Sequence, residues 1–101
     1  MRSTYAVVWR TGDGPVARGR LELFPGRLEL DGRAGSSQVT HEIGFDELSG
    51  VHVGRSSAER LKGHPTLVLD RVNAKPIMIA SVALQGVVAE LAVRLSCCLA
   101  A

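Results

Sequence analysis

The segment GRLELFPGRLEL at residues 19–30 predicts a β-hairpin, around which the rest of the fold can be built. Leucines alternate with charged residues on both sides of Pro25-Gly26, the pair that a type II turn prefers at its centre. Closing the chain around that turn places leucines opposite leucines on one face and Arg20 opposite Asp31 on the other. Such cross-strand pairs stabilise antiparallel strands. We therefore expect two paired strands with one apolar and one charged face.

Short alternating segments continue on both sides of the hairpin and predict a mainly β domain. With the hairpin they give seven strands over about residues 4–81, separated by Gly- and Pro-containing turns at the spacing of an antiparallel barrel or sandwich. Two apolar residues, Val68 and Met78, fall at positions that the alternation places on the outside of the sheet. They indicate a surface that a partner covers, although single exposed apolar residues are also common.

The periodicity changes after residue 81, and a helix is predicted over about residues 82–99. Ser81 stands at the expected N-cap position. Apolar residues recur at helical spacing along one face, which is the pattern of a helix that packs on a core. This stripe consists of Leu84, Val87, Val88, Leu91, Leu95, Cys98 and Leu99. Glu90 and Arg94 form a favourable i, i+4 pair on its flank.

Length and composition are typical of a single folded domain. The chain has 101 residues, of which 46% are hydrophobic, and a net charge of +2. This predicts a single domain over residues 1–101 and argues against disorder. We expect no signal peptide, since the first apolar run is short and leads into Arg10, and no membrane span. Ten arginines against two lysines favour a GC-rich, bacterial coding genome.

The order of seven strands and one amphipathic C-terminal helix within 101 residues resembles the pleckstrin-homology-like (PH-like) superfold, especially its small bacterial members. Residues 19–30 resemble the opening hairpin of those domains. FDELSGV at residues 45–51 resembles the segment that leads into their next strand. The resemblance covers essentially the whole chain, and it implies a seven-stranded antiparallel barrel or sandwich whose open corner is capped by the helix.

The same resemblance suggests a site for anions. PH domains that bind phosphoinositides carry one basic residue on the first strand and two on the second, a pattern matched here by Arg10, Arg18 and Arg20. Arginine suits bidentate recognition of phosphate. These residues are therefore candidates for binding an anionic lipid head group or membrane surface. The alternative is a solvated sheet face on which Arg20 pairs with Asp31.

A different binding mode is implied by the related phosphotyrosine-binding branch of the superfold. There a peptide adds as a strand beside the fifth strand and against the C-terminal helix, with main-chain hydrogen bonds carrying the affinity. The corresponding segment here is residues 49–54, and its candidate docking residues are Ser49, Val51 and Val53.

The far side of the predicted helix is small and apolar where a solvent-facing side normally carries charge. Its residues are Gly86, Ala89, Val93, Cys97 and Ala100. Small residues allow two helices to approach closely, so Gly86, Ala89, Val93 and Cys97 are a candidate homodimer interface. The alternative is that small exposed apolar residues have no partner.

No catalytic or metal site is predicted. His41, His52 and His64 lack the short spacing of zinc ligands, and no cysteine lies near them in sequence. The serines lack the context of an activated nucleophile, and no phosphate-binding or dinucleotide fingerprint occurs. We therefore expect a non-enzyme without a cofactor.

The remaining sequence features are a loop and a cysteine pair. Arg55, Arg60, Lys62 and His64 form a second basic cluster in a polar segment, either a binding loop or a solvated one. Basic residues are dispersed among acidic ones, which argues against nucleic-acid binding. The adjacent cysteines Cys97-Cys98 cannot form a disulfide that links distant segments of the chain. We expect them to be reduced thiols, which indicates a cytoplasmic protein.

These observations lead to a non-catalytic PH-like binding or interaction module that self-associates or binds a protein partner. An anionic head-group binder and a purely structural homodimer remain as alternatives.

Overall fold

Seven strands, one short 3₁₀ helix and one α-helix make up the described part of the protein. The computed structural model describes residues 3–54, 61, 64–81 and 86–100, and for residues 3 and 97–100 it describes the backbone only. The elements are β1 (Ser3–Thr11), β2 (Ala17–Phe24), β3 (Arg27–Ala34), β4 (Ser37–Gly44), the 3₁₀ helix (Phe45–Glu47), β5 (Leu48–Gly54), β6 (Thr66–Arg71), β7 (Ile77–Ser81) and α1 (Val87–Ala100). The predicted class, mainly β with one C-terminal helix, is confirmed.

The strands form one antiparallel sheet in the order β4-β3-β2-β1-β7-β6-β5. Strand β1 is shared, since residues 3–9 pair with β2 and residues 7–11 pair with β7. Helix α1 packs on β5, β6 and β7. We call the side of the sheet that faces the main core and α1 the inner face, and the opposite side the outer face. β4 and β5 are the two end strands, so the sheet is not closed into a barrel.

The hairpin that joins β2 to β3 has the predicted register. Leu21 lies opposite Leu30 and Arg20 opposite Asp31. Gly26 takes a φ of 83°, which is the left-handed value that the third position of a type II turn requires. The alternation of leucine and charge therefore predicted the pairing, and Pro25-Gly26 predicted the turn.

The main core lies on the inner face. Trp9, the leucines of the hairpin, and Leu67 and Leu69 of β6 are buried there. Val88, Leu91 and Leu95 of α1 close the same core, as the helical stripe predicted. Val87 is half-buried against it, Leu84 lies outside the described residues, and the side chains of Cys98 and Leu99 are not described.

A second, smaller core lies on the outer face, where the sequence predicted solvent. Val8 of β1, Ala80 of β7 and Leu61 are buried together, with Val16 and Met78 packed against them. Val68 is also buried, at 5% exposure. Val68 was predicted to belong to a surface that a partner covers, and this is wrong because the chain itself buries Val68. Met78, the other residue of that prediction, packs against the second core.

A hydrogen-bonded turn holds Leu61 over the outer face. The Leu61 N–H donates to Thr66 Oγ1 at 2.8 Å, and that hydroxyl donates to the His64 carbonyl oxygen at 2.9 Å. The His64 N–H in turn donates to the Leu61 carbonyl oxygen at 2.9 Å. Thr66 is fully buried, so its side chain is a satisfied polar group at the centre of the turn.

The helix begins later than the sequence predicted. Ser81 is the last residue of β7 and pairs with Val7, so it is not an N-cap. Gly86 has a φ of 87°, which a right-handed helix does not accommodate, and its carbonyl oxygen accepts the Glu90 N–H at 2.9 Å. The start at residue 82 is therefore wrong, and residues 82–85 lie outside the described part. Within the described ranges, no helix has both the length and the apolar character needed to cross a lipid bilayer.

Candidate functional site

Two arginines lie directly opposite each other on the outer face. Arg18 of β2 pairs with Arg33 of β3 on one side and with Val8 of β1 on the other. Arg10 lies two residues beyond Val8 on the same face, diagonal to Arg18. Opposite residues of an antiparallel pair have Cβ atoms about 4.5–5.5 Å apart, and like charges at that position repel. Arg10, Arg18 and Arg33 thus form a basic patch.

Two other arginines of the same hairpin, Arg20 and Arg27, differ from Arg18 and Arg33 in having carboxylate partners. Arg20 Nε lies 3.2 Å from Glu22 Oε1, and Arg20 Nη2 lies 3.7 Å from Asp31 Oδ2. Arg27 Nε lies 3.1 Å from Glu29 Oε2 and 3.6 Å from Glu42 Oε1.

Among the described residues, no carboxylate lies within ion-pair distance of Arg18 or Arg33. Of the three arginines that the PH-like resemblance selected, Arg10 and Arg18 are therefore part of the basic patch, while Arg20 is engaged elsewhere. Sequence reasoning missed Arg33. Extending the hairpin register by two residues beyond Arg20 and Asp31 would have found it.

Arg10 is held against the outer core. Its Nη2 donates to Met78 Sδ at 4.0 Å, and its Nε is buried without a hydrogen-bond partner among the described residues. A shallow hollow of about 450 Å³ lies beside Arg18 and Arg33. The hollow is lined by Val8, Val16, Ala17, Arg18, Arg33 and Gly35.

Among the described strands, β5 lies at one end of the sheet, and α1 packs on it. It pairs with β6 on one side, with Val51 opposite Leu69 and Val53 opposite Leu67. Leu67 and Leu69 are fully buried, whereas Val53 is 37% exposed. Val51 is half-buried against the main core, and Ser49 is exposed at an irregularity of the pairing. The structure thus places all three predicted docking residues on the edge strand.

The far side of α1 is only partly described. Ala89 and Val93 are exposed, and Val93 at 64% is the most exposed large apolar residue of the described ranges. Gly86 directly precedes the helix, so its predicted position within the helix is wrong, while the homodimer interface itself stays a prediction. The side chain of Cys97 lies outside the described part. Arg94, on the flank, donates from Nη1 to the Tyr5 hydroxyl at 2.7 Å.

A cavity of about 140 Å³ lies on the inner face at the end of the sheet near the β1–β2 turn. His41 of β4 lines it and is half-buried. Burial, and secondly the positive charge of Arg71, lowers the pKa of His41 below its ordinary value of 6.5. The neutral imidazole is therefore favoured, with one nitrogen as donor and the other as acceptor.

The other histidines do not join His41. His52 Nδ1 lies 3.4 Å from Asp70 Oδ2 on the outer face, and His64 is exposed. In the part of the chain that the structure describes, no three His, Cys, Asp or Glu side chains come together as a metal-ligand set. Of the predicted basic loop, Arg55, Arg60 and Lys62 lie outside the described residues.

Comparison with known proteins supports the fold. Neither a protein-family model nor a curated protein matches the chain. Among solved structures, the chain is similar to the C-terminal domain of an unknown protein from Leishmania infantum, with a TM-score of 0.67. The two share 13% sequence identity, over 93% of this chain and 82% of that one. At this identity the likeness concerns the fold alone.

Proposed function

We propose that the protein is a non-catalytic binding module of the PH-like superfold, and that a peptide segment of a partner protein docks as an added strand along β5. The PH-like assignment is supported by the strand order, in which β1 is shared between β2 and β7, and by the helix that packs on β5, β6 and β7.

The incomplete burial of β5 carries the proposal. Val51 and Val53 face the same side as the fully buried Leu67 and Leu69, yet they retain solvent contact because nothing in the described part continues the sheet beyond them. In the part of the chain that the structure describes, no strand pairs with the backbone N–H and C=O groups on that side of β5. An added strand would pair with those groups and bury both valines.

The ligand follows from the geometry of the edge. Successive residues of an extended peptide point to opposite faces, so alternate residues would contact Val51 and Val53 on the inner face. Helix α1 packs more extensively on β5 than on any other strand and would flank the peptide. We expect apolar residues at alternate positions of the peptide.

A selection from a displayed library of random peptides tests this function. Bound peptides should share alternating apolar residues, and Val53→Lys should abolish their binding because lysine blocks added-strand pairing at an edge. Val93→Lys is the matched control, since it places the same charge on an exposed valine of α1. Recovery of no peptide, or equal losses in both variants, contradicts the proposal.

A second candidate is binding of an anion at the basic patch, which is favoured by Arg18 and Arg33 because neither has a carboxylate partner among the described residues. Arg33→Gln should weaken binding of a soluble phosphomonoester by about tenfold, the effect expected when one charge-assisted contact is lost. Arg27→Gln, on the same strand and face, should leave it unchanged because carboxylates already hold Arg27. Flotation with phosphatidylcholine vesicles, with and without phosphatidic acid, separates a membrane head group from a free anion.

Self-association through α1 is supported by the exposure of Val93 beside Ala89. Light scattering should find a dimer at high micromolar concentration, and Val93→Lys should make it monomeric while Val53→Lys should not. A wild-type monomer under those conditions contradicts a dimer.

We place the module in the cytoplasm, which the adjacent cysteines Cys97-Cys98 support.

A further inference from the structure

We infer that the cavity beside Trp9 and His41 binds a small neutral ring compound that carries one hydroxyl group, a molecule of about the size of phenol. This site lies on the inner face of β1–β4, away from the β5 edge, so it is independent of the peptide-binding proposal. Nothing in that proposal requires it.

The cavity results from small residues on the inner face of the hairpin. Towards the turn, facing pairs are leucines, such as Leu21 with Leu30. Towards the other end the next facing pair is Gly19 with Gly32, followed by Ala17 and Ala34 at the start of β2 and the end of β3. Large pairs therefore give way to small ones along the same two strands.

Trp9 fills only part of the space that those small residues leave. It lies opposite Ala17 in the sheet and is buried. The remaining space is about 140 Å³ and opens at the end of the sheet. Apolar cavities of roughly 150 Å³ are large enough to hold benzene. A six-membered ring therefore matches the volume.

The walls determine the chemistry of the ligand. They are lined by Trp9, Thr11, Gly14, Pro15, Ala17, Ala34, Val39 and His41. Most of these residues are apolar, and no Asp, Glu, Lys or Arg is among them, so a charged ligand would lose hydration without gaining a counter-charge. The Thr11 hydroxyl and the neutral imidazole of His41 supply the polar groups. Ligand sites commonly combine an apolar lining with a few polar groups in this way.

Binding can be measured by the fluorescence of Trp9, because Trp9 is the single tryptophan of the chain and lines the cavity. Phenol is titrated against the full-length protein, and Trp9 fluorescence is excited outside the phenol absorption band. A saturable change is expected. Ala34→Leu, which fills the cavity, should weaken binding at least about tenfold, the effect of losing a well-matched apolar ring contact. Ala6→Leu makes the same change at an exposed position and should not.

Two further comparisons keep the test decisive if Ala34→Leu folds poorly. His41→Phe keeps the lining bulky but removes one of the two polar groups, so it should reduce the preference for phenol over benzene. A two-ring alcohol such as naphthol should not bind, because it exceeds the cavity. A linear, unsaturable response, equal binding by phenol and naphthol, or an unchanged phenol preference in a folded His41→Phe protein overturns the inference.

Discussion

Arg18 and Arg33 lie directly opposite each other on the outer face of β2 and β3. Two guanidinium groups at such a position repel each other, and the nearest carboxylate of the hairpin, Asp31, already contacts Arg20 and Thr40. The sheet tolerates this repulsion at a cost in stability.

Removing one of these charges should therefore stabilise the protein. We expect Arg33→Gln to raise the free energy of unfolding by about 0.2–1 kcal/mol at low salt, the usual size of a cross-strand pair effect, and less at high salt. Urea denaturation at two salt concentrations measures this. Arg27→Gln serves as the control and should be neutral or slightly destabilising, because it breaks contacts with Glu29 and Glu42. A destabilised Arg33→Gln protein would show that Arg33 has a structural role.

Thr66 is expected to be important for stability although it lies in no functional site. Thr66→Val removes the acceptor of the Leu61 N–H and the donor to the His64 carbonyl oxygen. Leaving a buried N–H unpaired costs about 1–3 kcal/mol. Thr40→Val is the control, since the Thr40 hydroxyl bond to Asp31 is exposed and 3.4 Å long. Equal unfolding free energies for the two variants would contradict the role of the turn.

Adding a single methyl group at Gly19 should lower the stability of the protein. A Cβ there would contact the Asp31 carbonyl oxygen and lie 2.5 Å from Gly32 Cα, so Gly19→Ala must push backbone apart. Overpacking of this kind costs about 1–3 kcal/mol, measurable by thermal or urea unfolding. Gly50→Ala is the control, since its Cβ would meet only Asp70 Oδ2 at 3.6 Å. A Gly19→Ala protein as stable as the control would mean that β2 and β3 lie farther apart.

The lowered pKa of His41 predicts a pH dependence of stability. Because burial and then Arg71 disfavour the imidazolium in the folded protein, the unfolded chain binds more protons just below pH 6.5. Stability should therefore fall as the pH is lowered from 6.5 towards the folded-state pKa of His41. Urea midpoints across this window should fall less steeply for His41→Gln than for the wild type. Parallel slopes would exclude His41 as the cause.

Much of the sheet could be predicted because alternation and turn chemistry are local signals. Pro25-Gly26 fixed the register of the hairpin, and the same register extended by two residues specifies the facing of Arg18 and Arg33. The interface of α1 with the core followed from the spacing of Val88, Leu91 and Leu95. In each case the residues that determine the structure lie close together in sequence.

The errors arose where distant segments meet. Ala80 is buried on the outer face together with Leu61, which comes from a polar stretch, and no local pattern indicates that contact. Ser81 resembles an N-cap, but pairing with Val7 extends β7 through it. The cavity was also missed, because its walls include Trp9 of β1 and His41 of β4, which the register of the hairpin alone does not bring together.

Hydrogen exchange of the β5 backbone tests the central claim most directly. In the free protein, the amides of β5 that point away from β6 should exchange quickly, since no described strand pairs with them. Addition of a selected peptide should slow exchange of those amides within residues 48–54, and Val53→Lys should remove this protection. Unchanged exchange across β5 at saturating peptide, with protection elsewhere on the domain, would contradict docking by strand addition.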